Sequence, residues 1–171
     1  MPYTTSEKTP DHAVKTCLQV LPELGTGGVE RGTIDIAEAL VDSGWRAIVA
    51  SAGGPRVREV EHAGAEHVTL PLASKSPFTI RKNARLLADL IKKYSVDIVH
   101  ARSRAPAWSA VRAAEAQNCR FVTTFHGVYG FGPFEFKKTY NRVMTAGNPV
   151  IAISEFIAHH LVREYGVEET R

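Results

Sequence analysis

Leu18 to Gly32 read LQVLPELGTGGVERG, which is an apolar run, a glycine-rich bend and the start of an amphipathic pattern. This order predicts a β-strand, a turn and an α-helix. Because Gly27 and Gly28 can adopt positive φ angles and carry no Cβ atom, their backbone N–H groups can converge on an anion. The stretch therefore predicts a phosphate site at the start of the helix.

The rest of the chain repeats this alternation of short apolar runs and amphipathic segments. The predicted strands cover 16–21, 46–51, 66–70, 97–101, 120–124 and 149–153, and the predicted helices cover 29–41, 56–62, 79–94, 105–117, 136–145 and 154–165. Strict alternation with continuous apolar strands is typical of parallel sheets. We therefore expect an α/β fold, a doubly wound, Rossmann-like parallel sheet of about six strands with helices on both faces, in the order 3-2-1-4-5-6.

Two of the helices show a clear apolar face. The face predicted for 29–41 consists of Val29, Thr33, Ile36, Ala37 and Leu40. The face predicted for 79–94 consists of Ile80, Ala84, Leu87, Ile91 and Tyr94, with Arg81, Lys82, Arg85, Lys92 and Lys93 away from it. This basic surface is either solvated or a peripheral contact with an anionic membrane.

Composition narrows the class of protein. The 171 residues carry a formal net charge of +3, an excess too small to indicate nucleic acid. We expect 1–13 to be a flexible leader and 14–171 to form one domain, located in the cytoplasm because no signal peptide or membrane-spanning run is visible. Cys17 and Cys119 have no metal-ligand spacing, so we expect reduced thiols and no metal site.

Two common phosphate motifs do not fit the opening stretch. A dinucleotide-binding fingerprint that starts at Gly25 requires a third glycine where Glu30 stands. A P-loop that starts at Gly27 requires lysine where Thr33 stands. Dehydrogenase and ATPase chemistry are therefore disfavoured, and a turn without any ligand remains the alternative for Gly27 and Gly28.

The residues that follow each strand are the candidates for function, because ligands of such sheets bind at the carboxyl ends of the strands. His126 is the first choice, since an imidazole there could bind a hydroxyl or carry a proton, although a satisfied, partly buried histidine is the alternative. His100 is more typical of a structural position. Arg102 and Arg104 could hold an anion or be surface charges, and Ser154 fits a helix cap.

Four motifs in order carry a resemblance to a known family. They are Gly27-Gly28-Val29-Glu30-Arg31, Asp97-Ile98-Val99-His100-Ala101, Thr124-Phe125-His126-Gly127 and Val150-Ile151-Ala152-Ile153-Ser154-Glu155-Phe156. Together they resemble the amino-terminal, acceptor-side domain of family 4 glycosyltransferases with the GT-B fold, over about residues 16–169.

The resemblance implies a retaining, metal-independent transfer of a sugar from a nucleotide-sugar donor to an acceptor hydroxyl. The acceptor is often lipid-linked or part of lipopolysaccharide, at the inner face of the cytoplasmic membrane, and no cofactor besides the donor is implied. By this resemblance Gly27 and Gly28 face the donor diphosphate and His126 lies near the transferred sugar. The residues expected to line the substrate cleft are Glu30, Arg31, Arg102, Arg104, Gly127, Ser154 and Glu155.

The pattern of the family also includes a second domain that carries most of the nucleotide contacts. This chain ends at Arg171, about where a linker into that domain would begin. We therefore expect 1–171 to fold but to turn over little substrate by itself. The alternative function is a non-catalytic α/β module that binds a phosphorylated small molecule or a carbohydrate.

Overall fold

The computed structural model describes residues 14–130 and 136–171, so the predicted leader lies outside the described residues. The strands are β1 (Thr16–Val20), β2 (Arg46–Ser51), β3 (Glu66–Thr69), β4 (Ile98–Ala101), β5 (Arg120–Phe125) and β6 (Val150–Ala152). The helices are α1 (Gly28–Asp42), α2 (Val57–His62), α3 (Pro77–Tyr94), α4 (Arg104–Ala116), α5 (Phe136–Asn141) and α6 (Glu155–Tyr165), and a 3₁₀ turn covers Arg142–Thr145.

The six strands form one sheet in the order β3-β2-β1-β4-β5-β6, as predicted. Every neighbouring pair is parallel, and Leu18 in β1 lies opposite Ile48 in β2 and Val99 in β4. The strand order reverses between β1 and β4. This is the point at which sheets of this type bind their ligands, beyond the carboxyl ends of the strands.

Helices cover both faces of the sheet, and two apolar cores result. Leu18 and Phe125 belong to the larger core, which the buried residues of α3, α4 and α6 complete. Val49 belongs to the smaller core under α1 and α2. Because successive residues of a strand point to opposite faces, β2 contributes Ile48 and Ala50 to the larger core and Ala47 and Val49 to the smaller one. The doubly wound α/β prediction is confirmed.

The predicted faces of two helices need correction. In α1 the buried residues are Thr33, Ile34 and Ala37, whereas Ile36 is 42% exposed. Apolar residues at both 34 and 36 leave two possible faces, and only packing on the sheet selects one. In α3 the polar Asn83 is buried, because its side-chain amide donates a hydrogen bond to the Pro71 carbonyl (3.0 Å).

Candidate active site

The turn after β1 leads into α1 without a positive φ angle at Gly27 or Gly28. Gly27 is the N-cap residue, with φ −82° and ψ 177°, and Gly28 is not among the residues with positive φ. A Cβ atom on Gly27 would lie 2.6 Å from Oε2 of Glu30, while nothing lies within 4 Å of the corresponding position on Gly28. The approach to the backbone at Gly28 is open.

Glu30 lies closer to the predicted anion position than the sequence suggested. Its carboxylate folds back towards Gly25 and Gly27 in the first turn of α1, a position that the helix dipole favours for a negative charge. A bound diphosphate would require this carboxylate to move aside, because two anions there would repel. Arg31 points to a different partner, since its Nε atom forms an exposed ion pair with Asp35 (2.8 Å).

Arg102 is buried, which excludes the surface-charge alternative for this residue. Only 5% of it is exposed, and its Nη1 atom donates to Oε1 of Gln19 (3.3 Å), whose own Nε2 atom donates to the Thr33 carbonyl (3.0 Å). Its Nη2 atom would lie 3.0 Å from a Cβ atom on Gly32, so glycine lets α1 pass closely over the guanidinium. Its Nε atom has no hydrogen-bond partner among the described residues.

Burial lowers the pKa of Arg102 to about 10, so the side chain remains a cation at neutral pH. No carboxylate forms an ion pair with it within residues 14–130 and 136–171. An unpaired buried cation is costly unless something compensates it. The arrangement therefore presents positive potential to whatever binds at this edge of the sheet.

Two histidines share this environment. His100 is buried in β4 and its Nε2 atom lies 2.7 Å from Oγ1 of Thr124, which agrees with a structural position. Burial, Arg102 and His126 lower the pKa of His100 to about 3. His126 is half-buried directly after β5, and burial followed by the charge of Arg102 lowers its pKa to about 4. Both imidazoles are therefore neutral at pH 7.

The Nε2 atom of His126 is buried and has no partner among the residues that the structure describes. A neutral imidazole with a free nitrogen can accept or donate a hydrogen bond to a hydroxyl group of a ligand. Gly127 follows it in the loop, and nothing lies within 4 Å of the position where a Cβ atom would stand. His126, the predicted catalytic residue, therefore has a ring nitrogen without a partner among the described residues, and it lies at the carboxyl ends of the strands as expected.

The other predicted cleft residues lie further along this edge. The guanidinium of Arg104, at the start of α4, stacks on the ring of Tyr129 (4.1 Å) and donates to Oδ1 of Asn141 (2.9 Å). Ser154 follows β6, and its hydroxyl accepts a hydrogen bond from the Ile157 backbone N–H (3.3 Å), so it caps α6 as predicted. Glu155 is exposed in the first turn of that helix.

Sequence reasoning missed one cavity at this edge. It has a volume of about 400 Å³ beside Arg104, and Lys75, Lys137 and Tyr140 contribute to its lining. No local motif connects these residues, because they come from a loop before α3 and from α5. The only available signal was the basic character of the segments that flank Pro77 and Phe136.

Within 14–130 and 136–171, no three His, Cys, Asp or Glu side chains lie together in a way that could hold a metal ion. Among the described helices, none combines the length and the apolar character needed to cross a bilayer.

Comparisons with known proteins agree on the fold and the family. The profile of Glycosyltransferase Family 4 matches residues 26–171. No curated protein matches the sequence. A glycosyltransferase from Rickettsia africae ESF-5 is 49% identical in sequence with a TM-score of 0.78, covering 91% of this chain and 41% of that one.

More distant structures share the fold alone. Anabaena Alr3699/HepE, solved in complex with UDP and glucose, has 21% identity and a TM-score of 0.67, with 90% of this chain and 42% of that chain covered. UDP-GlcNAc 2-epimerase from Methanocaldococcus jannaschii has 15% identity and a TM-score of 0.59, with 91% and 44% covered.

The chain therefore spans less than half the length of the structures that it matches. The family profile covers most of this chain, and the Rickettsia glycosyltransferase matches both its sequence and its fold. The four motifs quoted above all lie within the residues that the family profile matches. The chain belongs to glycosyltransferase family 4.

Proposed function

We propose that this chain forms the acceptor-side half of the active site of a retaining glycosyltransferase, which moves a sugar from a nucleotide-sugar donor to an acceptor hydroxyl. The observation that carries the proposal is the neutral His126, whose buried Nε2 atom has no partner among the described residues, beside the buried cation Arg102. Family membership supports the reaction class. Synthesis of lipopolysaccharide or another cell-envelope glycan is the proposed context.

In this proposal the donor diphosphate approaches the start of α1. Gly28 leaves its backbone open, and the first N–H groups of the helix have no intrahelical partners. The solved structure of HepE with UDP and glucose supports a nucleotide-sugar donor in this fold. Glu30 must swing away from Gly27 when the diphosphate binds, which makes its carboxylate sensitive to the donor.

Arg102 and His126 have complementary proposed roles. Negative charge grows on the diphosphate when its bond to the sugar breaks, and a fixed cation such as Arg102 stabilises that charge. The same cation helps to keep His126 neutral, so that its free nitrogen can bind a hydroxyl of the sugar or acceptor. The remaining nucleotide contacts belong, in this proposal, to a second α/β domain.

Closure of two domains would exclude water from the donor and prevent its hydrolysis. We therefore expect purified residues 1–171 to fold and to transfer no detectable sugar. The measurement is product formation from radiolabelled nucleotide sugars on membrane extracts, with the His126→Ala variant as the background. Transfer by 1–171 above that background would contradict the half-site proposal.

The complete gene product separates the two candidate functions. If it consumes a nucleotide sugar on membrane extracts and His126→Ala reduces this consumption, the transferase proposal stands. If no donor is consumed while a sugar phosphate still binds, the chain is a non-catalytic binding module, the alternative that the sequence left open.

The exposed side of α3 supports a peripheral membrane contact. Phe78 in its first turn is 88% exposed, and Arg81, Lys82 and Arg85 are exposed on the same helix. An apolar ring beside several cations matches the requirements of an anionic lipid surface. In this proposal the protein works at the inner face of the cytoplasmic membrane, where a lipid-linked acceptor would be available.

A further inference from the structure

The cavity beside Arg104 has the chemistry of a second anion site. It lies between the loops that follow β1 and β4, at the point where the strand order reverses. Its lining, as far as residues 14–130 and 136–171 form it, contains three cations, Lys75, Arg104 and Lys137, and no acidic residue. Three like charges around one cavity repel one another, so a bound anion would stabilise the arrangement.

The cations that line this cavity lack an acidic partner among the residues that the structure describes. Among the described residues, no carboxylate forms an ion pair with Lys75, Arg104 or Lys137, and the hydrogen-bond partner of Arg104 is the neutral amide of Asn141. The hydroxyl of Tyr140 is buried and has no partner within the described part of the chain. A buried hydroxyl without a partner is unusual, and this one is able to donate to a ligand oxygen in the cavity.

The first turn of α4 adds backbone donors. Ser103 is the N-cap residue and its side chain makes no capping hydrogen bond, so the first N–H groups of this 13-residue helix receive no side-chain acceptor there. Ser103, Arg104 and Ala105 all line the cavity. Cations, a phenolic hydroxyl and a helix N-terminus together match the acceptor oxygens of a phosphate group.

We propose that this cavity binds a phosphate group on the acceptor, so that the enzyme acts on a phosphorylated glycan or lipid. This inference rests on the proposed transferase function. The donor diphosphate is assigned to the start of α1, towards which Arg102 is turned through Gln19 and Gly32. Arg104 is turned the other way, towards Tyr129 and Asn141, so the two arginines serve two different anions.

The test is an NMR titration of isotope-labelled chain with glucose 6-phosphate, with glucose as the uncharged comparison. We expect shifts of the Ser103 to Ala105 amides with glucose 6-phosphate and none with glucose. Lys75→Gln/Lys137→Gln should weaken binding by at least about tenfold, because charge-assisted hydrogen bonds are lost. Arg58→Gln/Arg120→Gln, at exposed positions outside both the cavity and α3, removes the same charge and should leave binding unchanged.

Tyr140→Phe separates binding from folding. Its hydroxyl makes no hydrogen bond among the described residues, so its removal should not lower the melting temperature, yet it should weaken glucose 6-phosphate binding several-fold. Equal weakening by the Arg58→Gln/Arg120→Gln control, unchanged binding in Tyr140→Phe and the double lysine variant, or displacement by UDP would each overturn the proposal. Because the readout is binding, its failure is distinguishable from failure of sugar transfer.

A competition arm identifies the source of the phosphate. If vesicles of phosphatidic acid in phosphatidylcholine displace glucose 6-phosphate from the wild-type chain, the group belongs to a lipid headgroup. If they do not, the phosphate belongs to a soluble or exposed glycan. Both outcomes support the site.

Discussion

At the scale of single residues, the charge of Arg102 connects the two histidines of the site. Burial alone makes protonation of His100 and His126 unfavourable, and a neighbouring cation adds to that effect. A free histidine has a pKa of about 6.5, so both groups bind protons more readily in the unfolded chain. Acid should therefore weaken the fold through the same residues that form the site.

The first prediction concerns this pH dependence. Between pH 6.5 and about 3 the unfolded chain binds the proton that folded His100 rejects, so the free energy of unfolding should fall as the pH falls through that window. His100→Gln should reduce the slope in urea denaturation measured at several pH values. His62→Gln, which alters an exposed histidine, should keep the wild-type slope. Equal slopes in all three proteins would refute this account.

Gly28 offers a second prediction, because its surroundings are empty. Gly28→Ala should keep the free energy of unfolding or raise it by up to about 1 kcal/mol, since alanine favours helix. A methyl group there should nevertheless hinder a diphosphate and lower kcat/KM for the nucleotide sugar by more than about tenfold in the complete gene product. Glu38→Ala, at an exposed position of α1 away from the turn, should leave kcat/KM unchanged. Unchanged kinetics in Gly28→Ala would remove the diphosphate from this turn.

At the scale of helices and strands, the sequence was informative where local rules decide and failed where packing decides. Apolar runs and turns predicted all six strands, and the cap at Ser154 followed from residue type. The sequence could not show that Ile34 is buried and Ile36 exposed, because both lie in one apolar helical segment. The burial of Arg102 was hidden as well, since its neutral partner Gln19 lies 83 positions away in sequence.

Helix α6 provides a prediction about capping. Ser154 accepts a hydrogen bond from the Ile157 N–H, so Ser154→Ala should lower the free energy of unfolding by about 1 kcal/mol. Ser76 is the N-cap residue of α3 but makes no such bond, so Ser76→Ala should change it by less than about 0.5 kcal/mol. Both values follow from urea denaturation. A larger loss in Ser76→Ala would contradict the assigned caps.

Helix α3 provides a prediction about lipid. Removing three charges in Arg81→Gln/Lys82→Gln/Arg85→Gln should reduce sedimentation with phosphatidylglycerol vesicles by about tenfold or more, at about 1 kcal/mol per cation near an anionic surface. Arg58→Gln/Arg120→Gln/Arg163→Gln removes three exposed charges elsewhere and should retain most of the binding. If both triple variants sediment equally, the exposed side of α3 is ordinary solvated surface.

At the scale of the whole molecule, the two cores share one sheet, and we expect them not to unfold separately. Leu18 and Val49, in neighbouring strands, belong to different cores. Loss of one core would expose a face of the strands that hold the other. We therefore expect one cooperative unfolding transition rather than two.

The two tryptophans allow this to be measured. Trp45 precedes β2 after α1, and Trp108 in α4 packs against the larger core. Fluorescence of the single-tryptophan variants Trp45→Phe and Trp108→Phe should give the same fractional unfolding curve as the circular dichroism of each variant. Leu18→Ala should lower the free energy of unfolding by about 2–5 kcal/mol, and fluorescence and circular dichroism should report the same loss. If fluorescence and circular dichroism give different unfolding midpoints for the same variant, the two cores unfold independently.

The opposite directions of Arg102 and Arg104 have a consequence for divergence within the family. Only one residue separates them in sequence. Arg102 bonds to Gln19 in β1 and lies under Gly32 of α1, whereas Arg104 begins α4 and bonds to Asn141 in α5. Under the proposed assignment, substitutions in α5 or in the loop before α3 would therefore change which acceptor is recognised without altering the residues assigned to the donor. New acceptors could then be acquired while the proposed chemistry is kept.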